Sequence, residues 1–557
     1  MDGNRRVPLW AAVLIGLVTG AVAVGVSLLF AGLVKASAFP VVAVGNAFVD
    51  LTPAPLKEFA IRAFGENDKT ALLVGIFLVL TVIAAAVGVL AAKDLPYGLA
   101  GLAAFGAVGV LAVLTRPGAA LVDVVPTLAG VAAAGFALRA LLRHAVGEPS
   151  AGAVGEPPAH AAGRPGVRVT GEPPARAAEE PEGERPGVRA RAVARAGEDR
   201  RVFDRRDLLV WTLGGVAVAG VSGVIGRMLS GRAEVSAARG GLTLPRPATP
   251  APPLPAGVDL RIAGLSPFVT PNQDFYRVDT ALMVPQVDPR DWALRIHGMV
   301  DRPVELTFAD LMKLPLMEAD VTLCCVSNEV GGSLVGNARW LGAGLAGVLR
   351  DAGVHRDADM LLSASADGWT SGTPIDVALD GRDALLAIGM NGEPLPVEHG
   401  FPVRQVIPGL YGYVSATKWV TDIKVTRFDR DKAYWTPRGW SARGPVKTES
   451  RIDLPRDGAR VAAGRTVIAG VAWAQHRGVA AVEVRVDGGG WSRARLAEAP
   501  TADTWRQWVV DDWDATPGGH TIEVRATDAT GYTQTAERAS VAPDGATGWH
   551  TITVDVA

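Results

Sequence analysis

TLCCVSNEVGGSLVGNARWLGAGLAGVLRDAGV, residues 322–354, contains both cysteines of a 557-residue chain, Cys324 and Cys325, side by side. Adjacent cysteines close a strained ring, so a structural disulfide between them is not expected. The chain has no CxxC, no CxxCH and no Cys/His zinc spacing, which removes zinc fingers, c-type haem and cysteine-ligated iron–sulfur clusters. A lone thiol in a glycine-bearing loop after a strand reads three ways from chemistry alone: a nucleophile, a metal ligand or a small buried hydrophobe. His297, His355 and His399 are available as bases, but no protease-like signature surrounds the pair.

Outward from this stretch the chain changes texture several times. Hydrophobic residues make up 49% of the sequence, and five apolar runs, near 9–34, 71–92, 97–114, 119–142 and 208–229, have bilayer-spanning length. Arg5 and Arg6 precede the first run and Arg139 and Arg143 close the fourth, which predicts a cytoplasmic N-terminus and a cytoplasmic 143–206 segment. An odd number of crossings then puts everything after about residue 230 outside. The net charge of −2 gives no reason to expect nucleic acid. Residues 145–204 are rich in Pro, Gly, Ala, Glu and Arg and read as a disordered linker. Arg205-Arg206-Asp207-Leu208-Leu209 leads into a glycine-rich apolar run, 205–230, that resembles a twin-arginine export signal. Residues 231–257 read as a Pro/Ala spacer. From 445 to 557 alternating runs such as 482–486 and 521–525, separated by turns at 487–489 and 517–519, predict a β-sandwich.

The segment CVSNEVGGSLVGNARWLGAGLAGVL resembles the C-x-x-N…G-x-ARW stretch of the sulfite oxidase family. MNGEPLPVEHGFPVRQVIPGLYGYVSATKWVTDIKV, 390–425, resembles that family's MNG-x-PLP-x-x-HGFP-x-R…KW block, and Asp274-Phe275-Tyr276-Arg277-Val278-Asp279 stands where it carries FF-x-RN-H. The chain is thus multi-domain: the apolar runs give an N-terminal α-helical transmembrane region (1–144), which lies outside the resemblance, and the resemblance implies an α+β molybdopterin-binding domain (258–430) and an immunoglobulin-like β-sandwich (445–557) that forms homodimers in relatives. It implies a molybdenum-molybdopterin cofactor with Cys325 as metal ligand. Asn328, Arg339 and Trp440 join Cys325 as catalytic candidates. Phe275, Tyr276, Arg277, Asp279, Asp367, His399, Arg404, Ser415, Thr417 and Lys418 join it as cofactor contacts.

The departures bear on the substrate. Glu329-Val330 replace the two arginines that follow C-x-x-N in sulfite oxidases, Asp279-Thr280 replace the Asn-His pair, and Trp440 stands for the active-site tyrosine. An acidic residue near the metal opposes a doubly charged oxyanion. The implied activity is oxygen-atom transfer on a small oxyanion, with reduction of an S-oxide or N-oxide at the same site as the alternative. A non-catalytic cell-envelope binding module is the reading from another class. The apolar runs contain no histidine and His144 lies just beyond the fourth, which disfavours an intramembrane haem and points to a separate redox protein as electron partner.

Overall fold

A computed structural model describes residues 7–34, 38–52, 56, 68–116, 119–146, 205–229 and 232–557. The predicted linker from 147 to 204, Arg5 and Arg6 lie outside the described residues. Among the described residues five helices are long and apolar enough to cross a membrane: α1 (Leu9–Val34), α3 (Asp68–Lys93), α4 (Leu95–Leu114), α5 (Val125–Val146) and α6 (Arg205–Leu229), while α2 (Pro40–Leu51) is shorter. Runs without a polar face must bury or face lipid all round, and α1 does the former, packing against α3, α5 and α6. Close approach there rests on small residues: a side chain at Gly16 would collide with the Ala84 carbonyl, and one at Gly130 with Ser27. Gly16 beside Ala84 with Gly88 beside Ala12 sets α3 antiparallel to α1, and Gly215 beside Val18 with Gly226 beside Leu28 sets α6 parallel to it.

The end of the bundle at which α1 stops also carries α2, and there Leu282 and Met283 of the soluble part pack with Val42, Ile76 and Leu80. The predicted spacer differs from expectation. Residues 232–241 form α7, whose Val235 is 1% exposed in a core with Phe275, Trp340 and Leu395. Arg239 donates to the carbonyls of Leu395 at 2.8 Å and Pro394 at 2.8 Å. Ala248 and Thr249 both donate to the Leu316 carbonyl. Proline-rich backbone keeps free carbonyls and enough apolar surface to dock, so this segment is part of the domain it precedes.

Two sheets build that domain. One has the order β2 (Val304–Thr307), β1 (Ala293–Gly298), β10 (Val420–Thr426), β5 (Met360–Ser365), β6 (Thr370–Pro374). The other runs β3 (Leu316–Cys324), β4 (Val335–Gly344), β7 (Leu385–Met390), β8 (Glu393–Pro394), with β9 (Arg404–Val406) paired to β7. β3 and β4 form a hairpin with Cys324 opposite Val335, so residues 325–334 are its loop.

The C-terminal region is β-rich as predicted. β11 (Glu449–Leu454), β13 (Gly464–Trp473), β17 (Arg506–Ala515) and β16 (Arg495–Leu496) make one sheet. β12 (Ala459–Val461), β19 (His550–Val556), β18 (Gly518–Asp528), β14 (Val479–Val486) and β15 (Ser492–Arg493) make the other. They share a core of Ile452, Ile468, Val482, Trp508, Ile522 and Ile552.

This region is not loosely appended. Thr322 of β3 donates its N–H to the Asp503 carbonyl at 2.9 Å, and its hydroxyl oxygen accepts from the Trp505 N–H at 2.7 Å. The same hydroxyl donates to Asn337 Oδ1 at 2.9 Å, and Gln475 Nε2 donates to the Thr322 carbonyl. Thr322→Val keeps the shape and strips the hydroxyl, leaving a buried N–H and a buried amide oxygen unpaired. We expect about 2–4 kcal/mol of lost stability in denaturant unfolding of the detergent-solubilised chain; no loss would show that the interface does not depend on this bond.

Candidate functional site

The hairpin loop presents Cys325 with its thiol buried and its N–H bonded to the Leu334 carbonyl at 2.9 Å. Asn328 closes the loop: its N–H donates to the Cys325 carbonyl at 3.0 Å and its Oδ1 accepts from the Leu334 N–H at 2.8 Å. Cys324 points the other way, fully buried in a cluster with Tyr411, Trp473 and Trp505. Strand alternation therefore separates the two thiols onto opposite faces. Burial pushes the Cys325 thiol up, while the Ser327 N–H and Lys418 pull it down.

β9 and the segment before β10 bring the cations. Gln405 N–H bonds to the Thr417 carbonyl at 2.8 Å, which fixes Arg404 beside Lys418. Arg404 is 4% exposed, donates to the His399 carbonyl at 3.1 Å and the Ala416 carbonyl at 3.4 Å, and lies 4.9 Å over the Trp340 ring. It makes no ion pair among the described residues, and burial brings its pKa down to about 10. Lys418 is equally buried but pairs with Asp279 at 2.9 Å and donates to the Glu398 carbonyl; burial, partly offset by Asp279, brings it to about 8. Arg277, largely exposed, pairs with the same Asp279 at 2.9 Å.

His399 bonds through Nε2 to the Asn272 carbonyl at 3.2 Å and rests edge-on against Phe275. Burial first, then Lys418 and Arg404, lower it to about 3, so it is a neutral hydrogen-bonding ring at cellular pH. The Tyr276 hydroxyl is held well above its usual range by burial and then by Cys325, so it stays a donor. Asp367 is raised by burial and feels both Asp279 and Lys418.

Cys325, Tyr276, Asp279, Asp367, His399, Arg404 and Lys418 thus fall within electrostatic reach of one another. Four candidates are used elsewhere. Arg339 is held by Asp320 across the hairpin at 2.7 Å, four residues along β4 from Val335 and so about 13 Å from the loop. The Ser415 hydroxyl donates to the carbonyls of Leu410 and Tyr411, and the Thr417 hydroxyl bonds Ser371 at 2.7 Å. Trp440 packs on Tyr413 and Trp435 and joins the cluster on the Cys324 side of the strand.

Comparison with known proteins gives the same picture. A family model described as the oxidoreductase molybdopterin binding domain matches residues 281–435. Mouse mitochondrial sulfite oxidase is 34% identical, over 44% of this chain and 53% of its own length. The Bacillus subtilis uncharacterized oxidoreductase YuiH is 36% identical over 28% of this chain and 76% of its own. The chain belongs to the sulfite oxidase family of molybdopterin oxidoreductases. It spans about half the length of the mitochondrial sulfite oxidases it matches. A solved structure, sulfane dehydrogenase SoxCD from Paracoccus pantotrophus, aligns at 25% identity and a TM-score of 0.43, over 51% of this chain and 84% of that one.

The family's cofactor is a molybdenum-molybdopterin, and the site's unspent polar atoms suit it. Arg404 Nε and His399 Nδ1 are buried without a hydrogen-bond partner among the described residues. A phosphate and fused ring edges call for such donors and acceptors. Trp340 lies inside the quoted GNARW block yet was not singled out, because nothing in its spacing says a guanidinium will lie on it. Asn272 and Gln405 carry no motif signal either.

Two outcomes follow. Arg404→Met should abolish pterin retention yet leave the cofactor-free chain as stable as wild type or more so, because it removes an unpaired buried charge; pterin fluorescence after denaturation and an unfolding curve check both. Because His399 has its folded pKa below its unfolded value, the cofactor-free chain should lose stability as pH falls from 6.5 towards 3, at a limiting slope of about 1.4 kcal/mol per unit per group. His399→Gln should flatten that slope, and an unchanged slope would assign the acid sensitivity to other groups.

Proposed function

We propose that this chain is a membrane-anchored oxidoreductase that transfers an oxygen atom between water and a small substrate at a molybdenum bound by Cys325. One observation carries the reading: a buried guanidinium, Arg404, with no carboxylate among the described residues, converges with a buried ammonium and a buried thiol. When bound, the cofactor supplies oxygen-atom transfer coupled to two electrons. Arg404 and Lys418 would hold its phosphate, while the neutral His399 and Asp367 would bond the ring edges. The Tyr276 hydroxyl, a donor at any cellular pH, is suited to orient a substrate oxygen beside Cys325. Phe275 and Trp340 exclude water from the floor.

Sulfite oxidation is the first reading of the reaction. Reduction of an S-oxide or N-oxide is the second, supported by two features: Glu329 opens the loop where arginines stand in sulfite oxidases, and Asp279, shared between Arg277 and Lys418, offsets one of their two charges. A dianion gains little from such a pocket, whereas a neutral dipolar oxide needs only donors. Electrons would pass to or from a separate one-electron redox protein. The C-terminal sandwich would be the immunoglobulin-like domain through which two copies pair.

The soluble part meets the bundle at the end where α1 stops, away from where α1 begins, which supports a five-span anchor with the catalytic domain outside the cell membrane; residues 205–230 would serve as the export signal. The test is molybdenum and pterin content of the full chain, purified in detergent from a cofactor-competent host, with turnover of sulfite and of S-oxides. Stoichiometric metal is expected, with Cys325→Ser retaining pterin but losing turnover; a folded chain without metal or pterin would overturn the assignment and favour the binding-module reading.

A further inference from the structure

The loop that presents Cys325 is held from outside its own domain. Glu449 and Arg451 lie two residues apart on β11, so the period of the strand sends both side chains to one face. That face looks onto residues 324–334: both groups act on the Cys324 thiol, Glu449 raising its pKa and Arg451 lowering it. Arg451 donates from Nη1 to the Gly332 carbonyl at 2.7 Å and from Nη2 to Ser266 Oγ at 2.9 Å, with its Nε fixed by Asp453 at 2.7 Å. Glu449 meets Asn328, the residue whose amide closes the loop on Leu334. Glu449 is 4% exposed and Asn328 2%; Oε1 of the first and Nδ2 of the second are both buried without a hydrogen-bond partner among the described residues, and the Asn328 side chain acts on the Glu449 carboxyl.

We propose that Glu449 is a positioning residue for the molybdenum site: its carboxyl takes the Asn328 amide and, with Arg451, fixes the loop that aims Cys325, so that the C-terminal domain completes the active site. This rests on the functional reading above. Geometry favours it over simple core filling. An apolar residue of the same volume would fit between Tyr411, Trp473 and Cys324 at lower cost, because a buried carboxyl is expensive unless a partner uses it. Burial pushes Glu449 up to about 8, so below that pH it is a neutral carboxyl with its carbonyl oxygen free to accept. A loop tip containing Gly331 and Gly332 has little stiffness of its own, which is why an external clasp matters there.

The test compares Glu449→Met, which keeps volume without an acceptor, with Glu449→Gln, which keeps the acceptor without a charge. Hydrogen exchange over 325–334 in the full chain, made without cofactor, should speed up about 10-fold or more in Glu449→Met and stay near wild type in Glu449→Gln. In cofactor-loaded chain, Glu449→Met should retain molybdenum but shift the metal's paramagnetic resonance signal, with turnover down about 10- to 100-fold. Identical exchange and identical spectra in Glu449→Met and wild type would overturn the proposal. If Glu449→Met does not fold, Arg451→Gln probes the same clasp, and an unchanged loop there would overturn it as well. Absence of metal in wild type would count against the functional reading alone, since the exchange comparison needs no cofactor.

Discussion

A guanidinium sealed from water and met, among the described residues, by carbonyl oxygens and an indole ring rather than a carboxylate is the constraint around which the soluble part of this chain is built. Burying an ion costs several kcal/mol even after the protein relaxes, and carbonyl dipoles recover only part of that. Lys418 shows the alternative within a few ångströms: equally buried, it is neutralised by Asp279. The chain therefore spends a carboxylate on one cation and withholds it from the other. A net positive charge held in reserve in a dry site is an anion-binding device, and the phosphate of a pterin cofactor matches it.

Everything near Arg404 serves to keep it in place. β9 pairs with β7, Gln405 ties to the backbone at Thr417, and the His399 carbonyl caps one side. The thiol arrives on the loop of the β3–β4 hairpin in that same sheet, while Lys418 leads into β10 of the other. Neither sheet contains the whole site, so its accuracy depends on how the sheets are held. The C-terminal domain grips β3 at Thr322 and the hairpin loop at Gly332, while Leu282 and Met283, three and four residues beyond Asp279, rest on the apolar helices. The helical bundle and the second domain thus bear on segments next to the residues that hold the cations.

Much of this was legible in the sequence because it sits in short blocks whose spacing the chemistry dictates. The five apolar runs, the strand-like tail and the clustering of Cys325, His399, Arg404 and Lys418 fall in that class. What was not legible depends on partners distant in sequence. Arg339 belongs to the right block, yet its cross-strand neighbour Asp320 claims it, and only the hairpin register reveals that. Ser415 and Thr417 flank the right lysine, but local carbonyls and Ser371 consume their hydroxyls. The Pro/Ala stretch after the last apolar helix looked like spacer because composition does not show docked carbonyls. Glu449 gave no signal at all, since a carboxylate on a strand is ordinarily exposed and only the fold buries this one.

The most direct test of the central claim is X-ray absorption at the molybdenum edge of the full chain, beside its Cys325→Ser variant. The account predicts a metal centre in both, with one fewer sulfur neighbour in the variant. The same sulfur count in both proteins, or no molybdenum edge in a folded wild-type chain, would contradict it.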